Sequence, residues 1–367
     1  MPSKIEERPS VAAEKANVSG KSKIEVGILG ATGTVGQQFI ALLDRHPWFK
    51  TTWLAASERS AGKKYGDLPW RLSAALPEDA AGRSVEALTP GIGPKLVFSA
   101  LDSSIAGQAE ADFAAAGHIV LSNSRNHRMD PLVPLLIPEI NADHLGLIPA
   151  QKKKENRSGA IITNPNCSTI FLAIALAALR KFGPKRVMVT TLQALSGAGY
   201  PGVASLDATA NVIPFIDGEE EKMESETRKI LGGLNGNGIV PHSMTISATT
   251  TRVPVVNGHT EAISVEFEKT VTREEILAAF QEFSGEPQKL RLPSAPPQPV
   301  IYLEGVNRPQ PRLDVERDGG MVVHVGRLRA CSVLGHKFVI LGHNTIRGAA
   351  GAAILNAELM SAKNLLG

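Results

Sequence analysis

Cysteine is scarce in this sequence: 367 residues contain only Cys167 and Cys331. Two cysteines can form one disulfide at most, and a chain without a disulfide framework is typical of a reducing compartment, so we expect a cytoplasmic protein. No apolar run reaches the roughly 18 residues that a membrane-spanning helix requires. We therefore expect no association with a membrane.

The net charge is also small, and aromatic side chains are few. The formal net charge is +3 and aromatic residues make up 5% of the chain. Without a basic patch carrying interleaved aromatics, a nucleic-acid partner is not expected. Residues 1–22 lack the apolar core of a signal peptide, and Glu6, Glu7 and Glu14 argue against a transit peptide. We predict that residues 1–22 form a disordered tail.

The chain is longer than the size at which a single core stops growing, so two domains are expected. Apolar runs such as "KIEVGILG", "TTWLAAS", "KLVFSAL" and "HIVLSNS" alternate with helix-like segments as far as about residue 165. This alternation is typical of a parallel sheet covered by helices on both faces. Residues 23–165 are therefore predicted to form a Rossmann-type, doubly wound α/β domain.

The pattern changes after residue 165. The runs "KRVMVTTLQALSG", "GIVPHSMTISATTTRVPVV" and "TEAISVEFEK" are longer and alternate with polar residues. They predict an α+β domain over residues 166–343 with a mixed or antiparallel sheet. "EEEKMESETRKILGGL" and "TREEILAAFQEFSG" are predicted helices, the second capped by Thr272. The segment 344–367 is predicted to be a helix that completes the first domain.

Glycine recurs every third residue in "VGILGATGTVG". Because this run lies where a strand becomes a helix, its backbone can approach a pyrophosphate, which favours dinucleotide binding over a glycine-rich packing turn. The residues of this turn that are expected to contact the cofactor are Gly30, Thr32, Gly33, Thr34 and Val35.

The second predicted strand runs into "AASERSAGKK". Ser57, Arg59 and Ser60 offer a cation and hydroxyl groups to a 2′-phosphate, which favours NADP as the cofactor. Glu58 is the alternative, because an acid at this place can bind the ribose hydroxyl of NAD.

Cys167 lies at the start of an apolar helix in "ITNPNCSTIFLAIALAALRKFG". Asn164 or Asn166 can cap this helix, which places Cys167 in the first turn. The helix dipole and the unpaired N–H groups there favour a thiolate, so we predict a nucleophilic cysteine with a lowered pKa. Cys331 lies in a strand pattern and is expected to be a small core residue.

Asn257-Gly258 stands between two alternating runs and predicts a two-residue hairpin loop. Such a loop would pair Val256 with His259 and place Arg252 on the same face. An imidazole and a guanidinium together can supply an acid/base group and a carboxylate anchor. A structural role for the histidine is the alternative.

The motif "NPNCST", which follows a glycine turn of NADP type, resembles the active-site cysteine motif of aspartate-β-semialdehyde dehydrogenases, and most closely that of their fungal and archaeal branch. The similarity runs from about Ile24 to the C-terminus and includes "GATGTVGQ", "ASERSAGK", "SNSRNHRMDPLVPLLIPEIN", "LQALSGAG", "RVPVVNGHTE" and "NTIRGAAGAA". The resemblance implies an NADP-dependent oxidoreductase of lysine, methionine and threonine biosynthesis. It would reduce β-aspartyl phosphate to aspartate semialdehyde through a cysteine thioester, release phosphate, and assemble as a homodimer or homotetramer.

The resemblance also implies roles for single residues. Cys167 matches the nucleophile, His259 the general acid/base group, and Gln193 the glutamine that orients the substrate. Arg252 matches the clamp on the substrate α-carboxylate. The second domain would then be catalytic and would also carry the dimer contact.

Further matches concern the remaining substrate groups. Glu219 would meet the substrate amine and Lys222 would help to bind phosphate, although three consecutive glutamates leave this register open by one residue. Arg128 resembles the phosphate-binding arginine, and Arg125 is the competing candidate. Additional expected contacts to substrate or cofactor are Asn123, Ser99 and Asn344. No metal is expected.

Three other functions fit the sequence less well. Malonyl-CoA reductases share the fold, but a partner for a substrate amine at Glu219 argues against them. N-acetylglutamyl-phosphate reductases carry Gly-Cys-Tyr-Pro around the nucleophile, which "NPNCST" does not match. A non-catalytic NADP-binding protein would not need Cys167, Gln193, Arg252 and His259 together.

Overall fold

The computed structural model describes residues 22–236 and 238–366, so the predicted tail lies outside the described residues except for Ser22. The N-terminal part contains six strands, all paired in parallel, in the spatial order 3-2-1-4-5-6. This order confirms the predicted doubly wound α/β fold. The strands are β1 (Ile24–Leu29), β2 (Phe49–Ala56), β3 (Glu86–Ala87), β4 (Leu96–Ser99), β5 (Ile119–Ser122) and β6 (Ala160–Thr163).

Helices cover this first sheet, and its central strands are buried because both faces are covered. Val26, Ile28 and Leu29 of β1 are completely buried. The helices of this part are α1 (Thr34–Leu43), α2 (Glu78–Ala81), α3 (Ser103–Ala115), α4 (Pro138–Asn141) and α5 (Ile148–Lys154), with 3₁₀ turns at Tyr65–Asp67 and Ala142–Leu147.

The second sheet also has six strands, but it is mixed, as predicted. Its strands are β7 (Pro184–Gln193), β10 (Thr245–Arg252), β11 (His259–Phe267), β12 (Val300–Leu303), β13 (Val323–Cys331) and β14 (Gly335–Gly342), and a separate pair consists of β8 (Gly233–Asn235) and β9 (Gly238–Val240). The spatial order is β10-β7-β11-β14-β13-β12. The helices are α6 (Cys167–Ala178), α7 (Ser205–Ala208), α8 (Glu219–Ile230), α9 (Arg273–Glu282), α10 (Glu286–Lys289), α11 (Pro311–Asp314) and α12 (Gly351–Ala362). The 3₁₀ turns are Arg180–Phe182, Leu195–Ala198 and Arg317–Gly320.

The alternation along β7 follows from a sheet with one covered face. Val187 and Val189 are buried in the core that also contains helix α6, whereas Met188 and Leu192 on the opposite face are 53% and 39% exposed. Thr272 caps α9, as predicted, through a capping box with Glu275.

The hairpin predicted at Asn257-Gly258 is wrong. Strand β7 lies between β10 and β11 and pairs in parallel with β10 and antiparallel with β11. The intervening chain crosses the end of β7, where Val253 N–H donates to the Gln193 carbonyl at 3.0 Å. This pairing with the end of β7 replaces the direct contact that a two-residue loop would have required.

The C-terminal segment is helical only in part. A π-helical turn, Ile346–Ala350, precedes α12, so Asn344 lies outside the helix. Ile354 and Leu355 of α12 are buried in one core with Val26 and Ile28 of the first sheet. The domain limits of residues 23–165, 166–343 and 344–367 stay a prediction.

Within residues 22–236 and 238–366, none of the helices combines the length and the apolar character needed to cross a bilayer.

Candidate active site

Asn166 is the residue that caps the cysteine helix. Its side-chain oxygen accepts hydrogen bonds from the N–H groups of Ser168 at 3.0 Å and Thr169 at 3.2 Å. Asn164 instead donates to the Ala349 carbonyl at 2.8 Å. Cys167 is therefore the first residue of α6, as predicted.

Three predicted site residues lie side by side because their strands are neighbours. Arg252 ends β10 and pairs with Gln193, which ends β7. Thr260 of β11 pairs with Leu192, which places His259 beside Gln193. The start of α6 faces this row, and the Cys167 sulfur lies 3.1 Å from His259 Nε2.

The predicted lowering of the thiol pKa is wrong. Burial raises the pKa of Cys167 to about 12, and the Glu219 carboxylate adds to this effect, while Arg252 and Arg128 oppose it. Burial, Arg252 and His343 lower the pKa of His259 to about 3. Desolvation therefore outweighs the favourable position at the helix start, and it favours the neutral form of both groups.

Arg252 and His259 share one supporting segment. Arg252 Nη1 donates to the Ala194 carbonyl at 2.8 Å, and the Ala194 N–H donates to His259 Nδ1 at 3.0 Å. Gly197 lies over both side chains: a Cβ there would come within 2.7 Å of Arg252 Nη1 and 3.1 Å of His259 Nε2. Sequence reasoning missed Ala194, because a main-chain contact has no residue-type signal.

Glu219, the first residue of α8, is the glutamate that faces the site. Its carboxylate accepts hydrogen bonds from Asn166 Nδ2 at 2.7 Å and from Lys222 Nζ at 2.8 Å. Burial opposes ionisation, but Lys222, Asn166 and Gln193 together lower the pKa of Glu219. Glu220 instead accepts from the Thr250 N–H at 3.0 Å. These contacts support the register chosen from the sequence.

Arg128 is buried, and Arg125 is exposed. Arg128 Nη1 donates to Glu226 at 3.0 Å, and the other Glu226 oxygen accepts the Asn166 N–H at 2.7 Å. A Cβ on Gly218 would lie 4.0 Å from both Arg125 Nη1 and Lys222 Nζ, so these two cations converge at the rim. Glu226 was missed, although its spacing from Glu219 and Lys222 on one helix gives a usable signal.

The glycine turn borders a cleft of about 900 Å³. Gly30 has φ +77°, and a Cβ on Gly36 would lie 2.3 Å from the Gly30 carbonyl oxygen, so both positions require glycine. Glu58 does not line this cleft. The predicted residues that do are Gly30, Thr32, Gly33, Thr34, Val35, Ser57, Arg59 and Ser60, together with the unpredicted cations Lys63 and Arg71.

Three further residues predicted to contact substrate or cofactor form hydrogen bonds to other groups of the protein. The Ser99 hydroxyl is buried and donates to Glu110 at 2.6 Å, because the side chain at the end of β4 faces α3, which carries Glu110. Asn344 accepts from Gly258 N–H and donates to the Ser196 hydroxyl, both at 2.8 Å. Asn123 accepts from Asn164 at 2.9 Å. The side chains of Ser99, Asn123 and Asn344 do not line the cleft.

The two cysteines are both free, and Cys331 is half-buried at the end of β13, so the expectation of a core residue was wrong. Its place at the strand end, beside the turn into β14, explains the exposure. In the described part of the chain, no three His, Cys, Asp or Glu side chains are grouped as metal ligands.

Two family profiles match the chain. Residues 25–148 match "Semialdehyde dehydrogenase, NAD binding domain" and residues 176–347 match "Semialdehyde dehydrogenase, dimerisation domain". An aspartate-semialdehyde dehydrogenase from Archaeoglobus fulgidus is 50% identical over 94% of this chain and 100% of its own length. The chain belongs to the aspartate-semialdehyde dehydrogenase family.

Solved structures agree with this membership. The aspartate semialdehyde dehydrogenase of Candida albicans, crystallised with NADP, superimposes with a TM-score of 0.86 at 43% identity, covering 94% of this chain and 100% of that one. The Vibrio cholerae enzyme II, complexed with ASA, gives a TM-score of 0.74 at 26% identity, covering 93% and 99%. The resemblance identified from the sequence is thus confirmed, and a chain of this family carries a dimerisation domain.

Gly197→Ala should lower kcat/KM on the order of a hundredfold, because the added Cβ displaces Arg252 and His259 and a shift of about 1 Å can cost that much. Tm should change little. Gly146→Ala is the matched control, since a Cβ there meets nothing within 4 Å. Steady-state kinetics and thermal melting check both variants. Unchanged kinetics in Gly197→Ala would contradict the supporting role of this segment.

Proposed function

We propose that the protein reduces β-aspartyl phosphate to aspartate semialdehyde with NADPH, and catalyses the reverse reaction with phosphate. The observation that carries this proposal is the 3.1 Å contact between Cys167 Sγ and His259 Nε2, beside Arg252 and Gln193. A thiol nucleophile with a neighbouring imidazole is suited to acyl transfer. The names of the relatives, which are aspartate-semialdehyde dehydrogenases, support aspartate semialdehyde as the substrate.

The cleft at the glycine turn is suited to NADP. Its backbone is open enough for a pyrophosphate at Gly33, where a Cβ would meet protein only at 3.5 Å, and Arg59, Lys63 and Arg71 supply cations for a 2′-phosphate. When bound, NADPH supplies the hydride that reduces the acyl group. The Candida albicans relative with NADP supports this assignment.

The substrate carboxylate and amine have separate partners in this proposal. Arg252 contacts protein through Nη1 in the described residues, which leaves its other donors for a paired carboxylate contact. Glu219 is ionised and can accept hydrogen bonds from an ammonium group, while Gln193 lies between the two and orients the substrate. Recognition of both an α-carboxylate and an α-ammonium group also disfavours malonyl-CoA, because its malonyl group has no ammonium group.

In the proposed reaction, the Cys167 sulfur bonds to the acyl carbon and the carbon–oxygen bond to phosphate breaks. This gives a thioester on Cys167, which is then reduced to the aldehyde. Arg128 and Lys222 bind the phosphate: Arg128 uses only two of its five N–H donors within the described protein and influences the charge at Cys167.

Cys167→Ser should abolish phosphate-dependent reduction of NADP by aspartate semialdehyde, because the hydroxyl is a far weaker nucleophile. NADP binding, measured by calorimetry, should persist. Cys331→Ser is the control and should keep wild-type activity. Near-normal turnover in Cys167→Ser would refute the assignment of Cys167 as the nucleophile. If the wild-type protein turned over malonyl-CoA but not aspartate semialdehyde, the proposed substrate would be wrong.

Arg128→Ala should raise the phosphate KM in the oxidative direction and lower Tm, because Arg128 also binds Glu226 at the helix cap. Arg128→Lys should be milder, since it keeps the point charge. Arg125→Ala should change the phosphate KM only slightly. Phosphate titrations show which arginine binds phosphate. A large increase of the phosphate KM in Arg125→Ala with none in Arg128→Ala would assign this role to Arg125 instead of Arg128.

We further propose a homodimer formed through the open face of the second sheet. Met188 and Leu192 are exposed there beside the polar residues Thr190 and Thr249, and an exposed apolar patch with a polar surround is typical of an interface. A homotetramer would pair two such dimers. The proposed location is the cytoplasm, where a thiol nucleophile stays reduced.

Met188→Glu combined with Leu192→Glu should convert the protein to a monomer, since four buried like charges oppose the interface. Ile92→Glu, at a residue 55% exposed in the first part of the chain, is the control and should leave the assembly intact. Sedimentation velocity measures the outcome. An unchanged mass in the double variant would place the interface elsewhere.

A further inference from the structure

His259 is held by two contacts of opposite kinds. Nε2 lies 3.1 Å from the Cys167 sulfur, and Nδ1 lies 3.0 Å from the main-chain nitrogen of Ala194. A main-chain N–H can only donate, so Nδ1 must accept and cannot carry a proton. A neutral imidazole has one proton, which in this arrangement lies on Nε2 and faces the sulfur.

The charged form of His259 is opposed from several directions. An imidazolium would direct a second N–H from Nδ1 at the Ala194 N–H. The ring is completely buried. The charged or titratable groups facing it are Arg252, His343 and Cys167 itself, and the ring of Phe171, 6.4 Å away, brings no charge. None of these supplies an anion while the thiol is neutral.

The peptide group that carries the Ala194 N–H cannot easily turn away, because its carbonyl, that of Gln193, accepts from the Val253 N–H at 3.0 Å. In the next peptide group, the Ala194 carbonyl accepts from Arg252 Nη1 at 2.8 Å. The next N–H groups, of Leu195 and Ser196, donate to Val255 at 2.7 Å and to Val256 at 3.1 Å. The donor that faces His259 is thus fixed by contacts on both sides of the residue.

We propose that the Ala194 N–H holds His259 in the tautomer with its proton on Nε2, so that His259 donates a hydrogen bond to the Cys167 sulfur and does not take the thiol proton. Ala194 is then a positioning residue. This inference rests on Cys167 being the nucleophile of the proposed function. It assigns to His259 the acid half of the acid/base role implied by the family resemblance.

The proton balance closes without a histidine base. The sulfur–carbon bond forms, the carbon–oxygen bond breaks, and the thiol proton leaves on the phosphate, so an acyl phosphate dianion yields a thioester and hydrogen phosphate. The cations that favour negative charge on the sulfur are Arg252 and Arg128, so an imidazolium is not required. The Nε2–H remains in place to donate to the oxyanion that forms on the acyl carbon.

The first test is the tautomer itself, read by ¹⁵N NMR of the full-length protein with labelled histidine. His259→Gln identifies the signal of His259. We expect a neutral ring protonated on Nε2 at pH 7. A ring protonated on Nδ1, or on both nitrogens, would overturn the proposal. Because turnover is not measured, the result is independent of the substrate assignment.

The second test is alkylation of Cys167 by iodoacetamide at pH 8, in a Cys331→Ser background. His259→Gln keeps an N–H donor at the position of Nε2 and should react within about threefold of the parent protein. His259→Leu removes the donor and should react about tenfold more slowly or worse, the loss expected for one hydrogen bond to a charged group. Melting curves exclude unfolded variants. If His259→Gln were as slow as His259→Leu, a thiolate–imidazolium pair would be indicated and the proposal refuted.

Discussion

The site depends on one pairing in the second sheet, the insertion of β7 between β10 and β11. Each of these strands contributes one polar residue at the same level: Arg252, Gln193 and His259. Side chains on the same face of neighbouring strands are only about 5 Å apart, so the sheet sets their spacing without the help of a flexible loop. The first turn of α6, which carries Cys167, then contacts these three side chains through His259.

That approach brings several charges out of water, and Asn166 connects the groups that neutralise them. Its side chain caps α6 and donates to Glu219, while its main-chain N–H donates to Glu226. Glu226 in turn neutralises Arg128. Removing one member of such a buried network leaves the others unpaired, which costs more free energy of folding than the pair itself contributes. Cys167 is therefore positioned by the same contacts that neutralise the buried charges around it.

Local chemistry explains which parts of this structure could be predicted from the sequence. The parallel sheet, the Thr272 cap and the place of Cys167 follow from periodicity and capping, which depend on a few neighbouring residues. The strand order around β7 could not be predicted, because it depends on partners far apart in the chain. The predicted direction of the thiol pKa shift was wrong for the same reason. The effect of the helix start can be recognised from neighbouring residues, but burial results from tertiary packing. Ser99 was misplaced because a strand-end hydroxyl can face either side of the sheet.

The C-terminal motif "NTIRGAAGAA" shows how tertiary packing gives meaning to residues that the sequence leaves ambiguous. A Cβ on Gly348 would lie 2.7 Å from the Cys167 Cβ, and a Cβ on Gly342 would lie 2.2 Å from the Phe171 ring. Both glycines are therefore required where β14 and the following turn press against the first two turns of α6. Since α12 continues from this turn into the core of the first sheet, Cys167 lies between the two halves of the chain, and its position depends on both of them.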